Sequence, residues 1–109
     1  MNAMAIGKIV KDMIMKHVAP DFAPLAALRE YLTNHKGINF RYEKQEDGSL
    51  VARSTNFAYG SISTDGKDYA ELDRNIKDAI LTAFDVPSSY AAEANIRAIG
   101  EKGEDYALA

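Results

Sequence analysis

The chain lacks cysteine altogether and has no long run of apolar residues. The absence of cysteine excludes a disulfide framework, a thiolate nucleophile and a cysteine-ligated zinc or iron–sulfur site. The apolar N-terminal stretch is interrupted by Lys8, Lys11, Asp12 and Lys16, which leaves too few consecutive apolar residues for a signal peptide or a membrane span. We therefore expect a cytoplasmic protein without a membrane partner.

An excess of positive charge is also missing. Thirteen Lys and Arg residues stand against sixteen Asp and Glu residues, a net charge of −3, so no overall positive field attracts nucleic-acid phosphates. Residues 67–109 hold nine of the acidic and five of the basic side chains. This acidic third is either a solvated surface or a face for a basic partner, and nucleic acid is disfavoured as the main partner.

Patterns that carry catalysis or cofactor binding are absent as well. His17 and His35 are the only histidines and have no second ligand at metal-binding spacing. The seven glycines form no phosphate-binding loop and no serine lies in a nucleophile elbow. We predict no catalytic residue, no metal site and no cofactor, and hence a protein that is not an enzyme.

Helical periodicity dominates residues 1–36, which we interpret as an N-terminal helical arm. Apolar residues recur at three- and four-residue spacing before Pro20, and a second such stretch runs from Pro24 to a C-terminal stop at Gly37. The first helix carries more apolar surface than one small core needs, which favours self-association. The residues of this possible interface are Ile9, Val10, Met13 and Ile14.

A two-residue period follows and predicts an α+β core over residues 37–109, and the chain length leads us to expect that arm and core form a single compact domain. In residues 38–43 apolar and polar side chains alternate, as in a strand with one buried face. Turns at Asp47-Gly48 and Asp65-Gly66 bound two further strand-like runs, LVARSTNF and YGSIST. We expect a three-stranded antiparallel meander covered by one helix, then a short helix in SSYAAEANIRAIG and a possible short fourth strand at DYALA.

The covering helix opens with a capping signal. Asp68 is placed to accept a hydrogen bond from the backbone N–H of Glu71, the third helical residue of a capping box. Asn75 is a poor helix former inside this helix. It either faces water or bonds to the strand turn near Asp65 and Gly66.

Four aromatic residues allow two interpretations. Phe40, Tyr42, Phe57 and Tyr59 could form an exposed sheet face that stacks single-stranded bases, or the buried face beneath the helix. We favour the buried face, because the apolar stripe of the helix needs a surface to cover.

Residues 38–85 resemble the HicB-like family of small antitoxin domains. The similar segments are EDGSLVARSTNF and YGSISTDGKDYAELDRNIKDAI, and the matching letters are Gly60, Thr64, Gly66, Glu71, Leu72, Asn75, Ile76 and Ala79. The family has Thr at the helix cap where this chain has Asp68, and a Pro-Gly-Cys-type segment where this chain has STNFAYG. No DNA-binding segment follows the helix, which puts self-repression of an operon in doubt.

The resemblance implies a β-β-β-α fold and a non-enzymatic, antitoxin-type interaction protein. Such a protein binds and neutralises a small HicA-like ribonuclease toxin, or another protein partner, and forms homo-oligomers. Two alternatives stay open. One is a stand-alone homo-oligomeric scaffold, and the other is a double-stranded-RNA-binding module, whose element order matches residues 24–84 but whose last helix would start with lysines rather than DYAELDR.

Overall fold

The computed structural model describes residues 22–100 and 102–109 as an α+β protein. The elements in chain order are α1 (Phe22–His35), β1 (Ile38–Lys44), β2 (Leu50–Ser54), β3 (Ser63–Gly66), α2 (Tyr69–Ala83), a 3₁₀ turn (Ser88–Tyr90), α3 (Ala91–Ala94), β4 (Ile96–Ile99) and β5 (Asp105–Leu108). The first helix of the predicted arm, with the possible interface residues Ile9, Val10, Met13 and Ile14, lies outside the described residues. Within the two described ranges no helix has the length and apolar content needed to cross a membrane.

The sheet has five antiparallel strands in the order β3-β2-β1-β5-β4. The predicted meander of three strands is confirmed as β1, β2 and β3, and the Asp47-Gly48 turn joins the first two. The sheet is larger than the predicted three strands with a possible fourth, because both β4 and β5 extend it. DYALA is a strand as expected, but it lies between β1 and β4 inside the sheet.

The strand β4 was predicted as part of a helix. Helix α3 stops after four residues because Asn95 takes the left-handed conformation (φ 54°), and the chain then continues as β4. Alternate side chains of this strand, Ile96 and Ala98, pack against the core. Four residues are too few for helical and strand periods to be told apart in the sequence.

The third strand begins later than predicted, at Ser63 rather than near Tyr59. Ser54 closes the loop between β2 and β3: its N–H donates to the Ile62 carbonyl oxygen at 2.8 Å, and its hydroxyl oxygen accepts from the Ile62 N–H at 2.9 Å. Thr55 does not continue the pairing with β3: its N–H donates to the Asn39 carbonyl oxygen, and its hydroxyl donates to Asn39 Oδ1. Residues 55–61 therefore form a loop instead of strand.

One face of the sheet holds the core. The inward side chains of β1 and β2, among them Ile38, Phe40 and Ala52, are buried, while Arg41 and Arg53 on the opposite face are exposed. Helices α1 and α2 both pack on the inward face. The buried apolar residues are Leu28, Tyr31, Leu32, Ile38, Phe40, Leu50, Ala52, Ile62, Leu72, Ile76, Ile80, Leu81, Val86, Ala94, Ile96 and Tyr106.

Helix α1, which the sequence assigned to the N-terminal arm, contributes side chains to this core. Its Leu28, Tyr31 and Leu32 are buried in the same cluster as the sheet residues. The helix ends where Gly37 takes a φ of 111° against β5, and a Cβ on that glycine would lie 2.7 Å from the Tyr106 carbonyl oxygen. No other residue fits this position, so the close approach of the helix end to β5 depends on glycine.

We predict that Leu28→Ala lowers the free energy of unfolding by about 3 kcal/mol, because a fully buried leucine leaves a cavity when truncated. Leu25→Ala, on the same helix but only half-buried, should cost clearly less. The measurement is chemical denaturation followed by circular dichroism. Equal midpoints for wild type and Leu28→Ala would mean that α1 is an appendage rather than a core element.

Candidate functional site

The residues singled out around the start of α2 meet at one junction between β3 and this helix. Gly66 was predicted in a turn, but it is the last residue of β3 and pairs with Leu50. A Cβ on Gly66 would lie 2.5 Å from the backbone nitrogen of Leu72. The glycine is therefore needed for close approach of the strand to the first turn of the helix, and not for a special backbone angle.

The helix cap lies directly after this contact. The Asp68 carboxylate accepts a hydrogen bond from the Glu71 N–H at 2.8 Å, as a capping aspartate does. The Glu71 carboxylate accepts from the Lys67 N–H at 2.8 Å. In the usual capping box the glutamate bonds the N–H of the cap residue itself, so here the reciprocal bond is displaced by one residue toward the strand.

Asn75 links the second turn of the helix to the same strand. Its side-chain amide donates a hydrogen bond to the Asp65 carbonyl oxygen at 2.7 Å. Of the two interpretations of this residue, the structure contains the bond to the strand. Gly66, Asp68, Glu71 and Asn75 together hold α2 on β3, which is a structural role.

We predict that Asn75→Ala lowers the free energy of unfolding by about 0.5 to 1 kcal/mol, since the lost hydrogen bond outweighs the better helix propensity of alanine. Asp78→Ala is the matched control, because Asp78 is exposed on the same helix. The control should change stability by less than about 0.5 kcal/mol. A urea midpoint that Asn75→Ala leaves unchanged would show that the bond contributes nothing.

A second polar network joins the last strand to α2. The Tyr106 hydroxyl donates to Asp73 Oδ1 at 2.7 Å, and Asp73 Oδ2 pairs with Lys77 Nζ at 2.8 Å. The Tyr42 hydroxyl donates to the Gly103 carbonyl oxygen at 2.7 Å. These bonds therefore tie β5 to α2, and β1 to the turn that precedes β5.

The network shifts the pKa values of its members. Burial, reinforced by the hydrogen bond that the hydroxyl donates to Asp73 and by the nearby Tyr42, raises the pKa of Tyr106 far above its ordinary value of 10.0. Burial raises the pKa of Tyr42 too, although its interaction with Tyr106 opposes this rise. Partial burial alone would raise the pKa of Asp73, but hydrogen bonds from Lys77 and Tyr106 outweigh it and lower that pKa. The network thus favours neutral tyrosines and an ionised aspartate.

We predict that stability falls as the pH rises above about 10, because unfolded tyrosine loses its proton there while folded Tyr106 keeps it. The folded state then binds more protons than the unfolded state. Each additional proton bound by the folded state lowers the free energy of unfolding by about 1.4 kcal/mol per pH unit. Tyr106→Phe should reduce this slope by the contribution of one proton, and it should lower the free energy of unfolding by about 1 kcal/mol at neutral pH. Denaturation series between pH 7 and 11 measure both, and an unchanged alkaline slope in the variant would contradict the assignment.

Aromatic side chains from three segments form a third assembly, the aromatic cluster of Tyr31, His35, Phe57, Tyr59 and Phe84. The ring of Tyr31 lies at its centre, with ring centroids 5.3 Å from Phe57, 5.3 Å from Tyr59 and 5.4 Å from Phe84. The His35 ring stacks on Tyr31 at 4.0 Å, and its Nδ1 lies 3.1 Å from the Tyr31 carbonyl oxygen. Tyr31 thereby anchors the cluster.

The loop that carries Phe57 and Tyr59 is tied to α1. The Ala58 N–H donates to the Tyr31 hydroxyl oxygen at 2.8 Å. The loop thus contacts α1, which lies more than twenty residues earlier in the sequence. Tyr59 is held beside Phe84 at the end of α2. The Tyr59 side chain nevertheless remains 73% exposed.

The four aromatic residues discussed from the sequence divide between the two interpretations. Phe40 is buried beneath the helices, Tyr42 and Phe57 are half-buried, and Tyr59 is exposed. The favoured buried face is therefore right for Phe40 and wrong for Tyr59. The reason is that Tyr59 belongs to the loop between β2 and β3, where strand alternation does not apply.

A cleft opens beside the exposed ring of Tyr59. This aromatic cleft has a volume of about 190 Å³ and is lined by Ala27, Glu30, Tyr31, Asn34, His35, Tyr59 and Phe84. Helix α1 supplies one wall, because Ala27, Tyr31 and Asn34 recur at helical spacing. The remaining wall comes from the loop and the end of α2. Sequence reasoning found Tyr59 but missed the cleft, since its lining residues come from three distant segments.

Ligation of a metal finds no support in the described part of the chain. No group of three or more His, Asp or Glu side chains lies close enough there to hold an ion. His35 stacks on an aromatic ring, and His17 lies outside the described residues.

Comparison with known proteins gives no relative: no model of a protein family matches the chain, and neither does any curated protein or solved structure. The aromatic cleft and the junction between β3 and α2 are thus the features from which a function can be argued.

Proposed function

We propose that the chain is a non-enzymatic, HicB-like interaction protein of the antitoxin type. It binds and neutralises a small HicA-like ribonuclease toxin or another protein partner. The observation that carries this proposal is the aromatic cluster with its exposed residue Tyr59. Tyrosine on a preorganised surface buries a large ring at little entropic cost, which is why such residues dominate binding energy in protein interfaces.

The surroundings of Tyr59 suit a binding surface. The ring contacts Tyr31, Phe57 and Phe84, with centroid distances between 5.3 and 6.4 Å. A ring held in this way loses little freedom when a partner covers it, so most of the burial energy is available for binding.

The resemblance to HicB-like domains supports the antitoxin type. Three of its matching letters, Gly66, Glu71 and Asn75, occupy the junction between β3 and α2. These three matching positions thus have a structural role in this chain.

Charge supports a basic partner. Residues 67–109 have nine acidic and five basic side chains, and opposite charge on a small ribonuclease would speed its association and favour it over other proteins. A double-stranded RNA partner is disfavoured by the same charges, although the order α1-β1-β2-β3-α2 matches that class of module.

We predict that the chain forms a stoichiometric complex with a small basic protein co-expressed from the adjacent reading frame, and that it suppresses the RNA cleavage of that protein. Tyr59→Ser should weaken the complex by about 30-fold, because it removes an aromatic anchor. Tyr69→Ser is the matched control, since Tyr69 is 66% exposed on α2, away from the cleft. Titration calorimetry measures both affinities, and circular dichroism checks that both variants fold.

Three results would contradict the proposal. A complex that tolerates Tyr59→Ser would move the interface elsewhere. A homo-oligomer in light scattering, without affinity for the basic protein, would favour the stand-alone scaffold. Binding of duplex RNA at low salt would favour the RNA-binding module.

A further inference from the structure

We propose that the aromatic cleft receives an arginine side chain of the protein partner. This inference deepens the proposed function. It takes from that proposal only the assumption that the partner is a protein. The chemistry of the cleft is argued from its own residues.

The walls of the cleft are aromatic. The rings of Tyr59 and Phe84 lie 6.4 Å apart at an angle of 75°, and Tyr31 lies within 5.4 Å of both. The face of an aromatic ring carries partial negative charge and attracts a cation placed over it. A planar guanidinium also stacks on such a ring, which an ammonium group cannot do.

Glu30 is the only carboxylate among the residues that line the cleft. Glu30 lies on the exposed side of α1, and no lysine or arginine lines the cleft. The one ion pair among the described residues is Lys77–Asp73, on α2. Among the described residues the Glu30 carboxylate thus has no ionic partner, and it would attract a cation and repel a phosphate.

The volume limits the guest to one side chain. Pockets for drug-sized ligands have about 300 to 1,000 Å³, whereas this cleft has about 190 Å³. A guanidinium with part of its methylene stem needs far less than a cofactor. The Asn34 amide on the rim offers a further hydrogen-bonding group.

The experiment titrates the purified full chain with N-acetyl-arginine amide and follows the aromatic proton signals of Tyr59 and His35 by NMR. N-acetyl-citrulline amide is the neutral probe of the same shape, and adenosine monophosphate tests for a nucleotide site. We expect saturable shifts with the arginine probe at a dissociation constant on the order of millimolar, because one exposed cation–π contact and one exposed ion pair are individually weak. N-acetyl-citrulline amide should bind at least about three-fold more weakly than N-acetyl-arginine amide.

Two variants separate the cleft from the rest of the surface. Glu30→Gln should weaken arginine binding by about two- to five-fold, and Tyr59→Leu by a similar factor, since each removes one contact to the cation. Glu93→Gln and Tyr69→Leu are the matched controls, because they change an exposed carboxylate and an exposed ring outside the lining of the cleft. Both controls should bind the probe like the wild type.

Equal shifts with arginine and citrulline would overturn the inference, as would Glu30→Gln binding at wild-type affinity or tighter binding of the nucleotide. These outcomes do not depend on any partner protein. If the cleft binds the arginine probe but the chain binds no basic protein, the cleft inference stands and the proposed function is contradicted. If the complex with the basic protein requires Tyr59 but the cleft does not bind the arginine probe, the proposed function stands and the cleft inference is contradicted.

Discussion

Tyr106 in the last strand connects the sheet to the helix that covers it, and the rest of the architecture depends on that placement. Its ring packs edge-on against Phe40 at 5.7 Å, and its hydroxyl donates to Asp73 on α2. Strand β5 lies between β1 and β4. Gly37, just after α1, packs closely against the backbone of Tyr106 in this strand. Both helices and the strands on either side of β5 are thus held by a residue near the chain end.

This arrangement decides where the aromatic cleft forms. Helix α1 is fixed on the sheet by Leu28 and Leu32, which leaves Tyr31 at its edge, and α2 is fixed by the junction at Gly66, which leaves Phe84 at its far end. The loop between β2 and β3 then bonds Tyr31 through the Ala58 N–H. The cleft is rigid on the helical side because its walls belong to elements with fully buried anchors.

Several half-buried polar side chains form bonds within the protein and so serve its structure. Asp73 and Tyr106 bond each other, the Tyr42 hydroxyl bonds a backbone carbonyl, and Asn75 bonds the strand. The features that point outward are a different set: the ring of Tyr59, the carboxylate of Glu30 and the acidic surface of the C-terminal third. Under the proposed function, recognition would rest on this outward set and stability on the bonded set, so surface variants can test recognition separately.

Features that depend on close neighbours in the sequence were predictable. The cap at Asp68 involves a bond across three residues, the Asp47-Gly48 turn is equally local, and the alternation of Ile38 and Phe40 with exposed neighbours follows from strand geometry. Each signal also had the support of a regular period or a specific turn residue. Helix α2 and the meander could be inferred for that reason.

What remained was decided by contacts between distant segments. The sequence marked DYALA as a strand, but only the pairing of Ile38 with Tyr106 places it inside the sheet. Gly66 was read as a turn glycine, whereas the packing of Leu72 above it explains the absence of a side chain. Tyr59 and Glu30 share a cleft because a loop and a helix meet through the Tyr31 hydroxyl. The sequence by itself determined α2 and the meander, since their signals span a few residues, and the tertiary structure decided β4, the sheet order and the cleft, since these arise from contacts between segments far apart in the chain.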